Sequence, residues 1–180
     1  MSPELDLPQH WKLFLEAVDK QLETPVTLHC IGGFVVEAVQ KSLRKTGDLD
    51  YILIHPRDVF QTLEELAGKQ SKLARKHKLY LEQVVGLADY PDDYEKRLRE
   101  LDLGLKMLHL FVLDPYDLVL SKLTRNFGKD REDVKALAQQ HSLSFSVVSK
   151  RYEKEMKPWI PNANRHHLTL YELWKDFFPR

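Results

Sequence analysis

The sequence predicts a single domain of the α+β class. Short apolar runs rich in β-branched residues alternate with segments whose apolar residues recur at helical spacing. One such run, over 26–31, stops at Gly32-Gly33 before a helical pattern begins. From residue 114 onward the patterns are helical, and no repeat or low-complexity linker divides the chain. We therefore expect one domain over 1–180, with a sheet-containing core over 1–113 and a helical C-terminal part over 114–180.

The composition is that of a soluble globular protein. Of the 180 residues, 43% are apolar and 30% are charged, and 27 basic residues balance 27 acidic ones. A net charge of zero gives no global attraction to nucleic acid, so such binding would need a local patch. The single cysteine, Cys30, excludes an internal disulfide and a multi-cysteine zinc site. With no apolar run of membrane-spanning length and no signal-peptide pattern, we expect a cytoplasmic protein without a membrane partner.

The first part of the chain alternates helices and strands. Pro25 closes the first helical pattern, and His55-Pro56 closes the second strand. The predicted elements are, in order, a helix over 8–22, a strand over 26–31, a helix over 34–43, a strand over 46–54, a helix over 58–67, a basic stretch over 69–78 and a strand over 79–85.

The later elements are mostly helical. Residues 96–103 fit either a helix end or an edge strand, and 105–113 fit a buried strand. Asp114-Pro115 predicts a helix start, because Asp accepts from free amides and Pro suits the first helical position. That helix should end near Gly128. Further helices are predicted over 131–140 after Asp130, over 150–156, and in an aromatic segment ending at Phe177-Phe178.

The Gly32-Gly33 turn is a candidate phosphate site. Without Cβ atoms, its backbone amides can approach a phosphate closely, and the following helix directs its N-terminus at the negative charge. A tight connection between two packed elements would also place glycines here.

Asp48 and Asp50 are candidate metal ligands. Side chains alternate along a strand, so these two carboxylates project from one face while Leu49 points into the core. A cation between them would offset their repulsion, and hard oxygen ligands suit Mg²⁺. The alternative is structural: Gly47-Asp48 forms a turn and Asp50 begins a strand.

These residues resemble a known signature. Gly32-Gly33, a helix and then Arg44-x-Thr46-x-Asp48-x-Asp50 are similar to the motif of the polymerase-beta-like nucleotidyltransferase superfamily. The stretches over 113–123 and 129–134 resemble the second block of a poorly characterised branch near the AbiEii-type toxins of toxin–antitoxin systems. The resemblance covers about 26–140 and implies a nucleotidyltransferase-like mixed β-sheet flanked by helices, with a helical C-terminal part.

The resemblance also implies roles for individual residues. Asp48 and Asp50 would hold Mg²⁺ as catalytic residues, and Lys122 would reach the triphosphate as a compact charge. Lys122 is otherwise a solvated helix residue, and Asp130 and Asp133 otherwise form the cap and first-turn acid of a helix, an interpretation that we favour for Asp133. The residues implied in nucleotide binding are Gly32, Gly33, Arg44, Thr46, Lys122 and Asp130.

A third carboxylate usually serves as the general base in active enzymes of this superfamily. The strand over 105–113 offers only Lys106 and His109, whereas the preceding strand offers Glu82. Glu82 is our catalytic candidate and His109 the alternative. Without such a base, the chain would be a catalytically silent nucleotide- or protein-binding module.

The resulting hypothesis is a Mg²⁺-dependent enzyme that moves a nucleoside monophosphate from a nucleoside triphosphate to an acceptor hydroxyl. RNA such as tRNA, a protein or a small molecule would provide the acceptor, and a toxin-like role would add an antitoxin-like protein partner. The basic stretch over 69–78 is either a solvated face or a surface that steers RNA, so RNA binding independent of the aspartates is a third hypothesis.

Overall fold

The computed structural model describes residues 7–40, 45–84, 86, 89–125, 128–161, 163 and 175–178. The chain divides into two compact units. The first comprises Met1–Val85 and Arg99–Val112, and the second comprises Gly86–Leu98 and Leu113–Arg180. The sheet belongs to the first unit, and the later helices belong to the second.

The first unit is built on a five-stranded mixed sheet in the order β3-β2-β1-β5-β4. β1 is antiparallel to β2 and parallel to β5, while β3 is parallel to β2 and β4 is antiparallel to β5. This arrangement confirms the predicted mixed sheet. The strands are β1 (Val26–Ile31), β2 (Asp48–His55), β3 (Tyr80–Gln83), β4 (Arg99–Glu100) and β5 (Leu108–Val112).

Among the described residues, four α-helices accompany this sheet. They are α1 (Gln9–Asp19), α2 (Gly32–Gln40), α3 (Phe60–Ala67), which follows a 3-10 turn at Arg57–Val59, and α4 (Lys72–His77). The apolar positions of α1 recur at helical spacing and bury Trp11, Phe14, Leu15 and Val18 in the core. The predicted helices over 8–22 and 58–67 are present with shifted ends; the one predicted over 34–43 is present from Gly32, and its residues 41–43 lie outside the described residues.

Asp19 ties the end of α1 to the start of β5. Its Oδ1 accepts hydrogen bonds from the backbone amides of Lys106, Met107 and Leu108 at 3.0, 2.7 and 2.8 Å. Burial opposes ionisation of this carboxyl, but the three amide donors lower its pKa below the usual value. The ionised side chain thus satisfies backbone donors that begin an inner strand.

The structure gives the secondary structure of two segments for which the sequence did not predict one element. The basic stretch contains α4, and the amide of Ala74 in its first turn donates to Oγ of the N-cap residue Ser71 at 2.9 Å. The ambiguous segment 96–103 contains both the end of a 3-10 helix, Tyr94–Arg97, and the edge strand β4. α2 begins at Gly32, two residues before the predicted start.

The second unit consists of helices. α5 (Pro115–Arg125) packs against α6 (Gly128–Gln140), and α7 (Phe145–Arg151) continues into a π-helix at Tyr152–Met156. Asp114 Oδ1 accepts from the amide of Asp117 at 2.8 Å, which confirms the predicted helix start. Of the predicted aromatic last helix, only the final residues fall within the described chain. None of the described helices has the length and apolar character needed to cross a bilayer.

An ion-pair network runs through the second unit. Arg97 lies 2.8 Å from Asp117 Oδ2 and 2.6 Å from Glu155 Oε2, and Arg151 lies 2.7 Å from Asp117 Oδ1 and 2.9 Å from Asp114 Oδ1. Asp117 is fully buried. Burial raises the pKa of its carboxyl, while the two guanidinium groups favour the ionised form. The network joins the 3-10 segment before β4 to α5, α7 and the π-helix.

Candidate metal and nucleotide site

Three carboxylates converge at the ends of two neighbouring strands. Asp48, Asp50 and Glu82 each offer one oxygen, and these oxygens lie within 4.8 Å of one another. Asp50 stands opposite Glu82 in the parallel pairing of β2 with β3, which brings side chains from two strands to one face. The structure therefore joins the predicted aspartate pair to Glu82.

The alternation of β2 explains why its aspartates face outward. Leu49 and Tyr51 are fully buried, whereas Asp48 and Asp50 are partly exposed. A shift of one residue in register would bury both carboxylates and expose the two apolar side chains. The apolar side of the strand thus fixes the direction of the acidic side.

The cluster concentrates negative charge. Tyr80 begins β3 opposite Asp48. Burial raises the pKa of its phenol, and the carboxylates of Asp48, Glu82 and Asp50 raise it further. Burial likewise raises the pKa of the Cys30 thiol, with an added contribution from Asp50. Three hard oxygen donors that repel one another at this spacing have the chemistry of a site for a divalent cation such as Mg²⁺.

The glycine turn packs directly on this acidic strand. Gly32 has a φ of +80°, and a Cβ at this position would collide with Asp50 Oδ2. A Cβ on Gly33 would lie 3.2 Å from Thr46 Oγ1. Both glycines stand at the start of α2, where amides lack intrahelical partners. The backbone is therefore placed beside the carboxylates, as a phosphate-binding turn requires; phosphate binding itself stays a prediction.

Thr46 and Glu37 hold the segment that leads into β2. Thr46 Oγ1 donates to Asp48 Oδ1, and the Thr46 amide donates to Glu37 Oε2 at 3.1 Å. The same Oε2 accepts a hydrogen bond from Trp11 Nε1 at 3.2 Å. Glu37 is only 3% exposed, so these two donors satisfy a buried carboxylate. Glu37 was not identified from the sequence. The available signal was one acidic residue among the apolar positions of α2.

Lys122, Asp130 and Asp133 lie together in the second unit. Lys122 Nζ is 2.7 Å from Asp133 Oδ2 and 3.6 Å from Asp130 Oδ1, and all three side chains are buried. Asp130 also binds Arg125, at 2.6 Å. The interpretation of Lys122 as a solvated residue is wrong, because it is 3% exposed. Asp133 lies beyond the first turn of α6, so its assignment as a first-turn acid is also wrong. Nucleotide contacts of Lys122 and Asp130 stay predictions.

The structure gives different outcomes for the two other candidates, Arg44 and His109. Arg44 lies outside the described residues. His109 pairs with Thr27 near the start of β1, whereas Asp50 pairs with Ile31 at its end. The alternative base thus lies at the opposite end of the sheet, where its Nδ1 is 3.3 Å from Glu100 Oε1.

Comparison with protein families gives a match over nearly the whole chain. Residues 12–178 match a protein family described as nucleotidyltransferases of unknown function, DUF6036. No curated protein and no solved structure matches the chain. The match covers nearly the whole sequence, including the glycine turn, the three carboxylates and the paired helices of the second unit. The chain therefore belongs to the DUF6036 family of nucleotidyltransferases.

Proposed function

We propose that this protein transfers a nucleoside monophosphate from a nucleoside triphosphate to an acceptor hydroxyl with the help of Mg²⁺. The observation that carries the proposal is the convergence of Asp48, Asp50 and Glu82 within 4.8 Å. Family membership supports a nucleoside triphosphate as the donor.

The binding roles follow from the chemistry of the donors. Asp48 and Asp50 would hold Mg²⁺, since both offer carboxylate oxygens on one face of β2. When bound, this ion neutralises charge on the phosphate oxygens and orients the triphosphate. The amides of Gly32 and Gly33 would bind a phosphate next to it, because no Cβ blocks the approach. Contacts from Arg44, Thr46, Lys122 and Asp130 are supported by the family resemblance.

We assign Glu82 the role of general base, which accepts the proton of the acceptor hydroxyl. The oxygen of the acceptor hydroxyl forms a bond to the α-phosphorus, and the bond from that phosphorus to the bridging oxygen of the β-phosphate breaks. Pyrophosphate leaves with the electron pair, and the hydroxyl proton passes to the Glu82 carboxylate. Glu82 is exposed and can release the proton to solvent. Its position beside Asp50 supports this role over one for His109.

The position of Glu82 counts against the competing hypothesis of a catalytically silent module. That hypothesis rested on the lack of a third carboxylate near the aspartate pair, and Glu82 supplies one. The proposal also includes a toxin-like role with an antitoxin-like protein partner. This part is supported by the family resemblance alone.

Calorimetry of nucleotide binding tests the proposal. The four nucleoside triphosphates are titrated with and without Mg²⁺ into the wild type and into Asp48→Asn/Asp50→Asn. The exposed Asp58, on the 3-10 turn after β2, provides a control through Asp58→Asn. We expect metal-dependent binding that the double variant loses by at least about tenfold and that the control keeps. A wild type without metal-dependent binding, or a double variant that binds equally well, would refute the proposal.

A further inference from the structure

Five exposed cations are grouped in the segment that precedes β3. No Asp or Glu occurs within 69–78, although acidic and basic residues balance over the whole chain. We call this group the basic face; it consists of Lys69, Lys72, Arg75, Lys76 and Lys78, all of them exposed. Within the described residues, none of the five forms an ion pair with a carboxylate.

The fold keeps these cations on the solvent side. Leu73 and Ala74 are the buried residues of α4. Lys72, Arg75 and Lys76, at helical spacings of three and four, share the remaining surface. Three like charges this close repel one another, and within the described residues no carboxylate forms an ion pair with them. An anionic ligand would relieve this repulsion.

The basic face continues toward the carboxylate cluster through Tyr80. Lys69 Nζ lies 5.4 Å from the centre of the Tyr80 ring. Tyr80 and Glu82 are two residues apart on β3 and therefore project from the same face. Tyr80 also stands opposite Asp48 in the pairing of β3 with β2, which places the ring beside the acids. Cations, an aromatic ring and the carboxylates thus follow one another within the first unit.

This sequence of groups fits one class of ligand. Proteins bind single-stranded nucleic acid by combining cations along the phosphate backbone with aromatic rings on which bases stack. The proposed site for the nucleoside triphosphate is at the glycine turn, which leaves the five cations to a longer polyanion. The end of such a strand near Tyr80 would bring its terminal hydroxyl close to Glu82.

We propose that the basic face and Tyr80 bind the acceptor, and that this acceptor is a single-stranded polynucleotide with a free terminal hydroxyl. The inference rests on the proposed nucleotidyl transfer and names the class of its second substrate. RNA and DNA share this chemistry, and the experiment distinguishes them.

Fluorescence anisotropy with labelled single-stranded RNA and DNA of the same sequence, about 12 nucleotides long, measures the binding. The 180-residue chain is compared with its variant Lys72→Gln/Arg75→Gln/Lys76→Gln. A matched control removes three exposed cations from α6, Lys129→Gln/Arg131→Gln/Lys135→Gln. We expect the first triple variant to bind at least about tenfold more weakly and to lower the salt slope by about 2, because single strands contribute about 0.7 per phosphate contact.

Tyr80 has its own conservative test. We expect Tyr80→Leu to weaken binding about tenfold through lost stacking, and Tyr80→Phe to restore most of it. Equal binding by the basic-face variant and the α6 control would overturn the proposal. Stronger binding of polyglutamate than of either oligonucleotide would assign the face to an acidic protein and also overturn it.

Transfer of labelled nucleotide to total cellular RNA and to single-stranded DNA tests the acceptor role. We expect incorporation that disappears when the terminal hydroxyls are blocked and that falls in the basic-face variant. A wild type that binds the triphosphate with Mg²⁺ but labels neither polymer would overturn this acceptor class while leaving nucleotidyl transfer in place. Loss of triphosphate binding in Asp48→Asn/Asp50→Asn, with oligonucleotide binding retained, would separate the two sites.

Discussion

Replacing Gly32 with Ala tests the close packing of the glycine turn on the acidic strand. The φ of Gly32 is +80°, a conformation that costs a residue with a Cβ about 1–2 kcal/mol. The added methyl group would also collide with Asp50 Oδ2 and lie 3.2 Å from the Cβ and Cγ atoms of Asp50. Because both the turn and β2 are held in the core, the Asp50 carboxylate is the group that must move.

Gly104 supplies a matched control in the same unit. Its φ is +66°, and no heavy atom lies within 4 Å of an added Cβ. Gly104→Ala therefore introduces the backbone strain without the collision. We expect it to lower the free energy of unfolding by about 1–2 kcal/mol and to leave the metal site unchanged.

Urea unfolding and calorimetric titration with Mg²⁺ and nucleoside triphosphate distinguish the two variants. We expect Gly32→Ala to lose at least as much stability as Gly104→Ala and, in addition, to weaken metal-dependent nucleotide binding by about tenfold or more. Unchanged metal-dependent affinity in Gly32→Ala would refute the reasoning, since Asp50 could then be displaced without consequence for the ion.

Four other changes test separate parts of the structure. We expect Glu82→Gln to slow nucleotidyl transfer by about 100-fold or more while calorimetric triphosphate binding persists; parallel loss of binding would make Glu82 a metal ligand. Asp19→Asn should lower the free energy of unfolding by about 1–2 kcal/mol at neutral pH. Because the pKa of Asp19 is lowered in the folded protein, the stability difference between the wild type and Asp19→Asn is present above the ordinary carboxyl pKa. It disappears as the pH falls through the lowered pKa, and urea unfolding at a series of acidic pH values would detect this loss. Lys122→Met should cost about 3 kcal/mol in the same assay, since it removes the cation 2.7 Å from buried Asp133; a negligible loss would contradict this. Glu37→Leu should cost about 2 kcal/mol by removing the acceptor of Trp11 Nε1 and the Thr46 amide, with Glu37→Gln retaining most of the stability.

The parts of the site that were predicted from sequence depend on local signals. Alternation along β2 places Asp48 and Asp50 on one face, and a glycine pair between a strand and a helix predicts a turn with exposed amides. These signals lie within a few residues of one another. The mixed sheet was predicted through the family resemblance and is confirmed by the strand pairing.

The remaining parts depend on contacts between distant residues. Glu82 was chosen because it is an acid on a predicted strand, but its proximity to Asp50 requires β3 to pair with β2 in one register. The buried role of Lys122 requires α5 and α6 to pack so that Asp133 faces it. Periodicity indicates neither which strands pair nor which face of a helix meets another.

The path of the chain also limits how this protein can be divided. Gly86–Leu98 belongs to the second unit, although Arg99–Val112 then returns to the first. Arg97, within the earlier segment, supplies the guanidinium that binds Asp117 and Glu155. A fragment made of 113–180 would retain Asp114, Asp117 and Glu155 without Arg97, and Arg151 pairs only with Asp114 and Asp117 among the described contacts. Neither unit is one continuous stretch of sequence, so a division of the chain at residue 113 would separate Arg97 from the buried carboxylates of Asp117 and Glu155.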